Sequence, residues 1–88
     1  MRISTSTEAM SIVNKVAKEN PGYVYRDMDA LIEIGEVDMD TLFGGYLWEA
    51  IEDEIPEMDE ETNTLLSDAA IDFYCEQLEG CFDDAEDI

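Results

Sequence analysis

The sequence has no histidine, and it has no lysine or arginine after position 26. Its 88 residues include 24 acidic and 4 basic side chains, so the formal net charge is −20. The bases all lie near the start of the chain: Arg2, Lys15, Lys18 and Arg26. Only two acidic residues lie in the same region, so the first 26 residues have a net charge of +2. Residues 27–88 have a net charge of −22. Such a charge repels DNA, RNA and anionic membranes and attracts basic proteins, so we expect no direct binding to nucleic acid or membrane.

The missing histidine also removes the commonest general base and metal ligand. The sequence contains no nucleophile elbow and no glycine-rich phosphate loop. Paired carboxylates can cleave glycosides, but a small helical domain of this length offers little room for a sugar cleft. We therefore expect no enzymatic activity and no cofactor.

One segment partly matches a calcium-binding loop. In "DMDTLFGGYLWE" (38–49), Asp38, Asp40 and Glu49 occupy positions 1, 3 and 12 of an EF-hand loop. Position 5 is Leu42, however, and position 6, where the sharp turn needs glycine, is Phe43. The sequence therefore predicts no built metal site.

The two cysteines, Cys75 and Cys81, are six residues apart, which is not a CxxC spacing. This usage is typical of reduced thiols in a cytosolic protein. The opening "MRISTSTEAM" lacks the apolar core of a signal peptide, and no apolar run approaches the roughly 18 residues of a membrane helix. We expect a cytoplasmic protein.

The first third of the chain predicts one clear helix. Thr5 and Glu8 fit a capping box, and a helical stripe of Ala9, Ile12, Val13 and Val16 follows. "ENPG" (19–22) ends this helix. "YVYR" (23–26) is compatible with a short extended piece, although no second strand is available to pair with it.

The middle third predicts a helical turn and then a helix. The turn follows Asp27 with Ala30, Leu31 and Ile34 facing inward, and it ends at Gly35. Asp38 can cap a helix that runs to about Ile55, before Pro56. Gly44–Gly45 in its middle indicates a kink or a close contact between helices, because glycine costs about 1 kcal/mol in a helix interior.

The last helix is predicted from residues 59–62 to about Glu79. Its inward face contains Leu66, Ala69, Ala70, Phe73 and Gln77, widened by Ile71, Leu78 and Phe82. Its opposite edge carries acids at helical spacing. We therefore predict that residues 1–88 form a single all-α domain, a small bundle of three to four helices with a frayed acidic C-terminus at 82–88.

The acids are densest in "EDEIPEMDEE" (52–61), where seven of ten residues are carboxylates. At about 6 Å in water, each neighbouring pair of such charges costs about 0.7 kcal/mol before screening. Solvation or adaptation to high salt could explain an acidic surface, but solubility needs a net charge of only about 2–8. The negative charge beyond that range favours a surface that binds a basic partner.

A nucleic acid is what many basic protein surfaces bind. Carboxylates at i and i+4 of a helix stand about 6 Å apart along its axis, near the spacing of phosphates on one strand. Twenty-two carboxylates match the charge of roughly eleven base pairs. Eleven acids are the best candidate contacts: Glu49, Glu52, Asp53, Glu57, Asp59, Glu60, Glu61, Asp68, Asp72, Glu76 and Glu79.

In overall character, residues 27–88 resemble the small acidic DNA-mimic inhibitors that phages use against restriction enzymes and CRISPR effectors. The similarity consists of size, helical pattern, near-absence of bases, and acidic helices such as "LWEAIEDEIPEMDEE" (47–61) and "SDAAIDFYCEQLEG" (67–80). The resemblance implies inhibition by occlusion of a basic DNA- or RNA-binding groove in a bacterial cell. Aromatic side chains such as Tyr46, Trp48 or Tyr74 could add anchoring, although we expect most of them to lie in the core. A homodimer would lengthen the charged surface.

A second, local resemblance is to acyl carrier proteins. "DALIEIGEVDMDTL" (29–42) is similar to the segment that leads into their phosphopantetheine serine, and "DEIPEMDEE" and "AAIDFY" are similar to later segments of that family. Asp38 stands in place of the serine, so this resemblance implies an acidic protein-interaction module without carrier chemistry.

Overall fold

The computed structural model describes residues 3–79, and every regular element in this range is an α-helix. The helices are α1 (Ser6–Glu19), α2 (Pro21–Ile34), α3 (Met39–Phe43), α4 (Tyr46–Glu54) and α5 (Glu60–Gln77). The all-α class is confirmed, with four helices of nine or more residues and the short α3 in addition. The predicted loose segment 82–88, with Phe82, and also Cys81 lie outside the described residues.

Helix α1 lies at the centre of the packing, with its most extensive contacts to α5. The Ile3 N–H donates to Thr62 Oγ1 at 3.4 Å, so both helices begin at the same end of the molecule. On another side of α1, Lys15 Nζ donates to Glu54 Oε2 at 2.8 Å and marks the contact with α4. The large side chains buried at the centre come from α1, α2, α4 and α5 and from residues that flank these helices: Ile3, Val13, Val16, Leu31, Leu47, Ile51, Ile55, Leu66, Tyr74 and Leu78.

The predicted limits of α1 are confirmed. Thr5 Oγ1 accepts a hydrogen bond from the Glu8 N–H at 3.1 Å, as in a capping box. The Glu8 carboxylate accepts from the Ser4 N–H at 3.0 Å, one residue before the cap, and this hydrogen bond lowers the pKa of Glu8. The helix ends at Glu19 because Pro21 has no N–H with which to continue it.

The segment 23–26, for which an extended conformation was considered, is helical. Pro21 begins α2, a position where its fixed φ and missing N–H suit the first turn of a helix. Val24, Asp27 and Leu31 form the inward face. Gly35 ends the helix as predicted, with a left-handed φ of 95°. Ile34, predicted to face inward, is exposed in the last turn.

The predicted helix over 38–55 is interrupted at Gly44–Gly45. Asp38 caps the short α3 as predicted, accepting from the Thr41 N–H at 3.1 Å. Gly45 then becomes the N-cap of α4, and a Cβ atom there would lie only 2.8–2.9 Å from the Asp27 carboxylate. The prediction of a close contact at this glycine pair is therefore confirmed, and α4 ends before Pro56 as expected.

Helix α5 begins as predicted, with Asp59 accepting from the Thr62 N–H at 2.9 Å. Leu66, Ala69, Ala70 and Phe73 are buried, whereas Gln77 is exposed at the end of the helix, contrary to the prediction. Tyr74, which the sequence did not assign to the inward face, is fully buried.

Candidate functional site: the acidic surface

The eleven carboxylates proposed as partner contacts are all exposed. They belong to a larger set, because eighteen acidic residues lie between positions 27 and 79 and sixteen of these are exposed. The two exceptions are Asp27, which is buried, and Asp38, which is half-buried and caps α3. No lysine or arginine follows Arg26, so the bases near these carboxylates can come only from the first 26 residues.

Tertiary packing divides the candidate residues into three groups. The α5 stripe consists of Asp68, Asp72, Glu76 and Glu79. The α4 group consists of Glu49, Glu52, Asp53 and Glu57. The α5 start consists of Asp59, Glu60 and Glu61.

The α5 stripe and the α4 group lie on different sides of α1. Asp72, Glu76 and Glu79 of the α5 stripe line a shallow groove together with Met10 of α1. On α4, Glu54 contacts Lys15 of α1. Five residues along a helix correspond to about 140° around its axis, so Met10 and Lys15 face different ways. The α5 stripe and the α4 group therefore form acidic surfaces on two different sides of α1.

The α4 side is partly neutralised. The hydrogen bond and the charge of Glu54 raise the pKa of Lys15. A shallow groove beside this pair is lined by Asn20, Tyr23, Glu49 and Asp53. Because Glu54 is engaged by Lys15, it is a poorer candidate contact than its neighbours.

The α5 start has a local structural role. Asp59 is the N-cap of α5, and Glu60 and Glu61 occupy its first turn. Negative side chains at a helix N-terminus interact favourably with the helix dipole, typically by about 0.3–1 kcal/mol each. Part of the acid-rich segment 52–61 is thus explained by the helix that it begins.

The structure also contains a buried carboxylate that the sequence pattern did not reveal. Asp27 accepts hydrogen bonds from the Tyr46 N–H at 2.9 Å, the Leu47 N–H at 3.0 Å and the Tyr74 hydroxyl at 2.8 Å. Asp27 is only 5% exposed, and it caps α4 from a different helix. Burial, and then the charge of Asp27, raise the pKa of Tyr74. The only signal in the sequence is that Asp27 lies three residues after Val24 and four before Leu31, a spacing that puts all three on one face of a helix.

Of the three aromatic residues considered as anchors, one is at the surface. Trp48 and Tyr74 are buried, whereas Tyr46 is exposed. The Tyr46 ring lies 5.7 Å from that of Tyr23 and 5.6 Å from the Arg26 guanidinium carbon. Of these three, Tyr46 is therefore the side chain that a partner could contact.

The remaining observations concern metals, membranes and thiols. Within residues 3–79, no three His, Cys, Asp or Glu side chains are grouped so that they could hold a metal ion. None of the helices in this part of the chain is long and apolar enough to cross a membrane. Cys75 is exposed and has a free thiol.

Comparison with protein families, with curated proteins and with solved structures finds no match to this chain. The DNA-mimic and acyl-carrier resemblances therefore gain no support from relatives. Function has to be argued from the geometry and charge of the acidic surface.

Proposed function

We propose that this protein mimics the phosphate charge of a nucleic acid and occludes the basic groove of a DNA- or RNA-binding protein, such as a restriction enzyme or CRISPR effector, in the bacterial cytoplasm. The observation that carries the proposal is the exposure of sixteen carboxylates between residues 27 and 79, a range without any basic side chain. The proposed action is steric and electrostatic, and it involves no catalytic step, metal or cofactor.

The charge density along α5 is close to that of a nucleic acid strand. Residues 59–79 extend over about 30 Å at 1.5 Å per residue. Seven of the candidate carboxylates lie in this range, which is one per roughly 4 Å, against about 3.4 Å per phosphate on one strand of duplex DNA. A groove that accommodates phosphates could therefore pair with most of these carboxylates.

The energetics favour a basic partner. Repulsion between neighbouring carboxylates costs about 0.7 kcal/mol per pair at 6 Å in water before screening. A row of lysine and arginine side chains on the partner would relieve this repulsion. Binding would also release the counterions condensed on both surfaces, the term that dominates the affinity of basic proteins for DNA.

The two-sided arrangement of the acids sets the expected mode of contact. A groove could contact the α5 stripe, the α4 group or both, with the polar surface of α1 between them. The contribution of each side can be measured separately, because each carries exposed pairs at i, i+4 spacing: Asp72 with Glu76, and Glu49 with Asp53.

The test uses three double variants with equal net charge. Asp72→Lys/Glu76→Lys changes the α5 stripe, Glu49→Lys/Asp53→Lys changes the α4 group, and Glu36→Lys/Asp40→Lys is the matched control. Each variant changes the formal charge from −20 to −16. Tagged proteins are used to capture binding partners from bacterial lysate, and the partners are released with duplex DNA or with polyglutamate at equal charge concentration.

The expected result is capture of a nucleic-acid-binding enzyme that duplex DNA releases at a lower concentration than polyglutamate does. The purified enzyme should lose DNA binding when the wild-type protein is added. At least one of the α5 and α4 variants should lose this inhibition while the control keeps it. Equal loss in all three variants would indicate bulk charge only, and capture of acyl-transfer enzymes would favour the carrier-like alternative. Loss of helical circular dichroism at low salt would instead indicate salt adaptation.

A further inference from the structure

The large apolar side chains that are exposed within residues 3–79 all lie between positions 23 and 46. Their exposed fractions range from 40% to 67%: Tyr23, Tyr25, Ile32, Ile34, Met39, Phe43 and Tyr46. Within α2 they fall on two flanks, because residues two apart are about 200° apart around a helix: Tyr25 and Ile32 lie on one flank, and Tyr23 and Ile34 lie on the other. The flank with Tyr25, whose side chain is 67% exposed, leaves apolar surface open to a partner.

Helix α2 contributes most of these side chains, and its outer face carries an ordered set of charges. Arg26, Asp29 and Glu33 follow one another at i, i+3 and i+7, so they lie on one face of the helix. All three are exposed. Tyr25 and Ile32, spaced by seven residues, form an apolar strip beside these charges. The outer face thus runs from positive to negative along the helix.

Arg26 lacks an anionic partner in the described part of the chain. Its guanidinium carbon lies 5.6 Å from the centre of the Tyr46 ring, and no carboxylate among residues 3–79 forms an ion pair with it. Arginine and tyrosine are the residue types most enriched at the energetic centres of protein interfaces. A partner that supplies a carboxylate opposite Arg26 would complete this arrangement.

We propose that the partner is a second copy of this chain, bound through α2 in a two-fold symmetric, antiparallel dimer. A two-fold axis near residues 29 and 30 brings Arg26 opposite Glu33 of the other copy, and the same pairing occurs twice. Tyr25 and Ile32 then lie opposite each other across the interface. A parallel arrangement would bring like charges together at Arg26, Asp29 and Glu33, whereas the antiparallel one does so only at Asp29, which lies next to the axis.

Charge also disfavours the α4 and α5 surfaces as contacts between copies. Each copy carries −20, and the α4 and α5 surfaces present carboxylates to an approaching molecule. The exposed cations of α2 and of the end of α1, Arg26 and Lys18, make the α2 side the least repulsive approach. Added salt screens the remaining repulsion, so dimerisation should strengthen with salt. Binding of the acidic surface to a basic partner should weaken with salt, so the two associations are independent and distinguishable.

The test is sedimentation equilibrium of the full chain over micromolar to millimolar concentrations, at low and high salt. We expect the mass to rise from 10.0 kDa towards twice that value, more readily at high salt. Arg26→Glu and Glu33→Arg should each weaken dimerisation at least tenfold, because each places two like-charge pairs in the interface. The combined variant Arg26→Glu/Glu33→Arg should restore dimerisation to within a few-fold of wild type. Glu61→Arg, with the same charge change as Glu33→Arg, should not weaken it.

Tyr25→Ser provides a test that does not depend on charge. Tyr25 is 67% exposed, so this change should leave the helical circular dichroism unchanged and weaken dimerisation. A monomer at every concentration and salt would overturn the proposal. So would a combined charge-swap variant as weak as the single variants, or association that none of the α2 changes affects.

Discussion

Replacement of Asp27 by alanine should be the most destabilising single removal of a carboxylate from residues 3–79. The change removes a helix cap, at about 1 kcal/mol, and leaves the Tyr74 hydroxyl buried without an acceptor, at about 1–3 kcal/mol. We expect a total loss of about 3 kcal/mol from the roughly 5–10 kcal/mol of a domain this size. Asp29→Ala is the matched control, because it removes the same charge from the exposed side of α2. It should change stability by less than about 0.5 kcal/mol.

A double-mutant cycle with Tyr74→Phe isolates the buried hydrogen bond. Tyr74→Phe alone removes a bond to a charged acceptor, at about 1.5 kcal/mol. In the Asp27→Ala background the hydroxyl has no acceptor, so its removal should cost nothing or even restore stability. We therefore expect a coupling free energy of about 2 kcal/mol between the two positions.

The measurement is urea unfolding followed by circular dichroism and by the fluorescence of Trp48, which is buried in α4 close to Asp27. Linear extrapolation yields the free energy of unfolding for each variant. The reasoning would be refuted if Asp27→Ala cost no more than Asp29→Ala. Additive effects in the cycle would equally contradict a direct bond between the carboxylate and the hydroxyl.

Two further predictions concern the same buried site. Gly45→Ala places a Cβ atom 2.8–2.9 Å from the Asp27 carboxylate, so it should lower the free energy of unfolding by about 1–3 kcal/mol in the same urea assay. Gly44→Ala is the control. Its Cβ atom would have its nearest contact at 3.4 Å, so it should lower the free energy of unfolding by less than about 1 kcal/mol. Burial raises the pKa of Tyr74 above its unfolded value of about 10, so its contribution to stability is complete below that pH and is lost as the pH rises further. In an alkaline titration, one of the four tyrosines should ionise only together with the loss of helical circular dichroism, and Tyr74→Phe should remove that step. Ionisation of all four before unfolding would contradict this expectation.

The outline of the bundle follows from local sequence signals. Thr5, Asp38 and Asp59 cap helices because their short oxygen-bearing side chains reach a backbone N–H three residues ahead. Gly35 ends α2 because glycine adopts a left-handed conformation without strain. Such interactions involve neighbours along the chain, so a sequence pattern is sufficient to predict them.

The segment 23–26, which the sequence left open to an extended conformation, shows the limit of those signals. The same "NPG" that ends α1 also begins α2, since proline is favoured at the first position of a helix although it is strongly unfavourable inside one. The aromatic and β-branched residues that follow favour extended structure locally. Burial of Val24 and Leu31 against the rest of the bundle outweighs that preference.

What the sequence determined by itself is the helical class, most helix ends and the excess of negative charge, because each depends on composition or on short-range spacing. Only the tertiary structure decided which residues meet. It brought Asp27 to the start of α4 and to Tyr74, 19 and 47 residues away, where one buried carboxylate satisfies three donors. It also separated the α5 stripe from the α4 group with α1, and exposed the apolar side chains of α2. The physical reason is that these arrangements depend on how whole helices pack around one core, which no local pattern encodes.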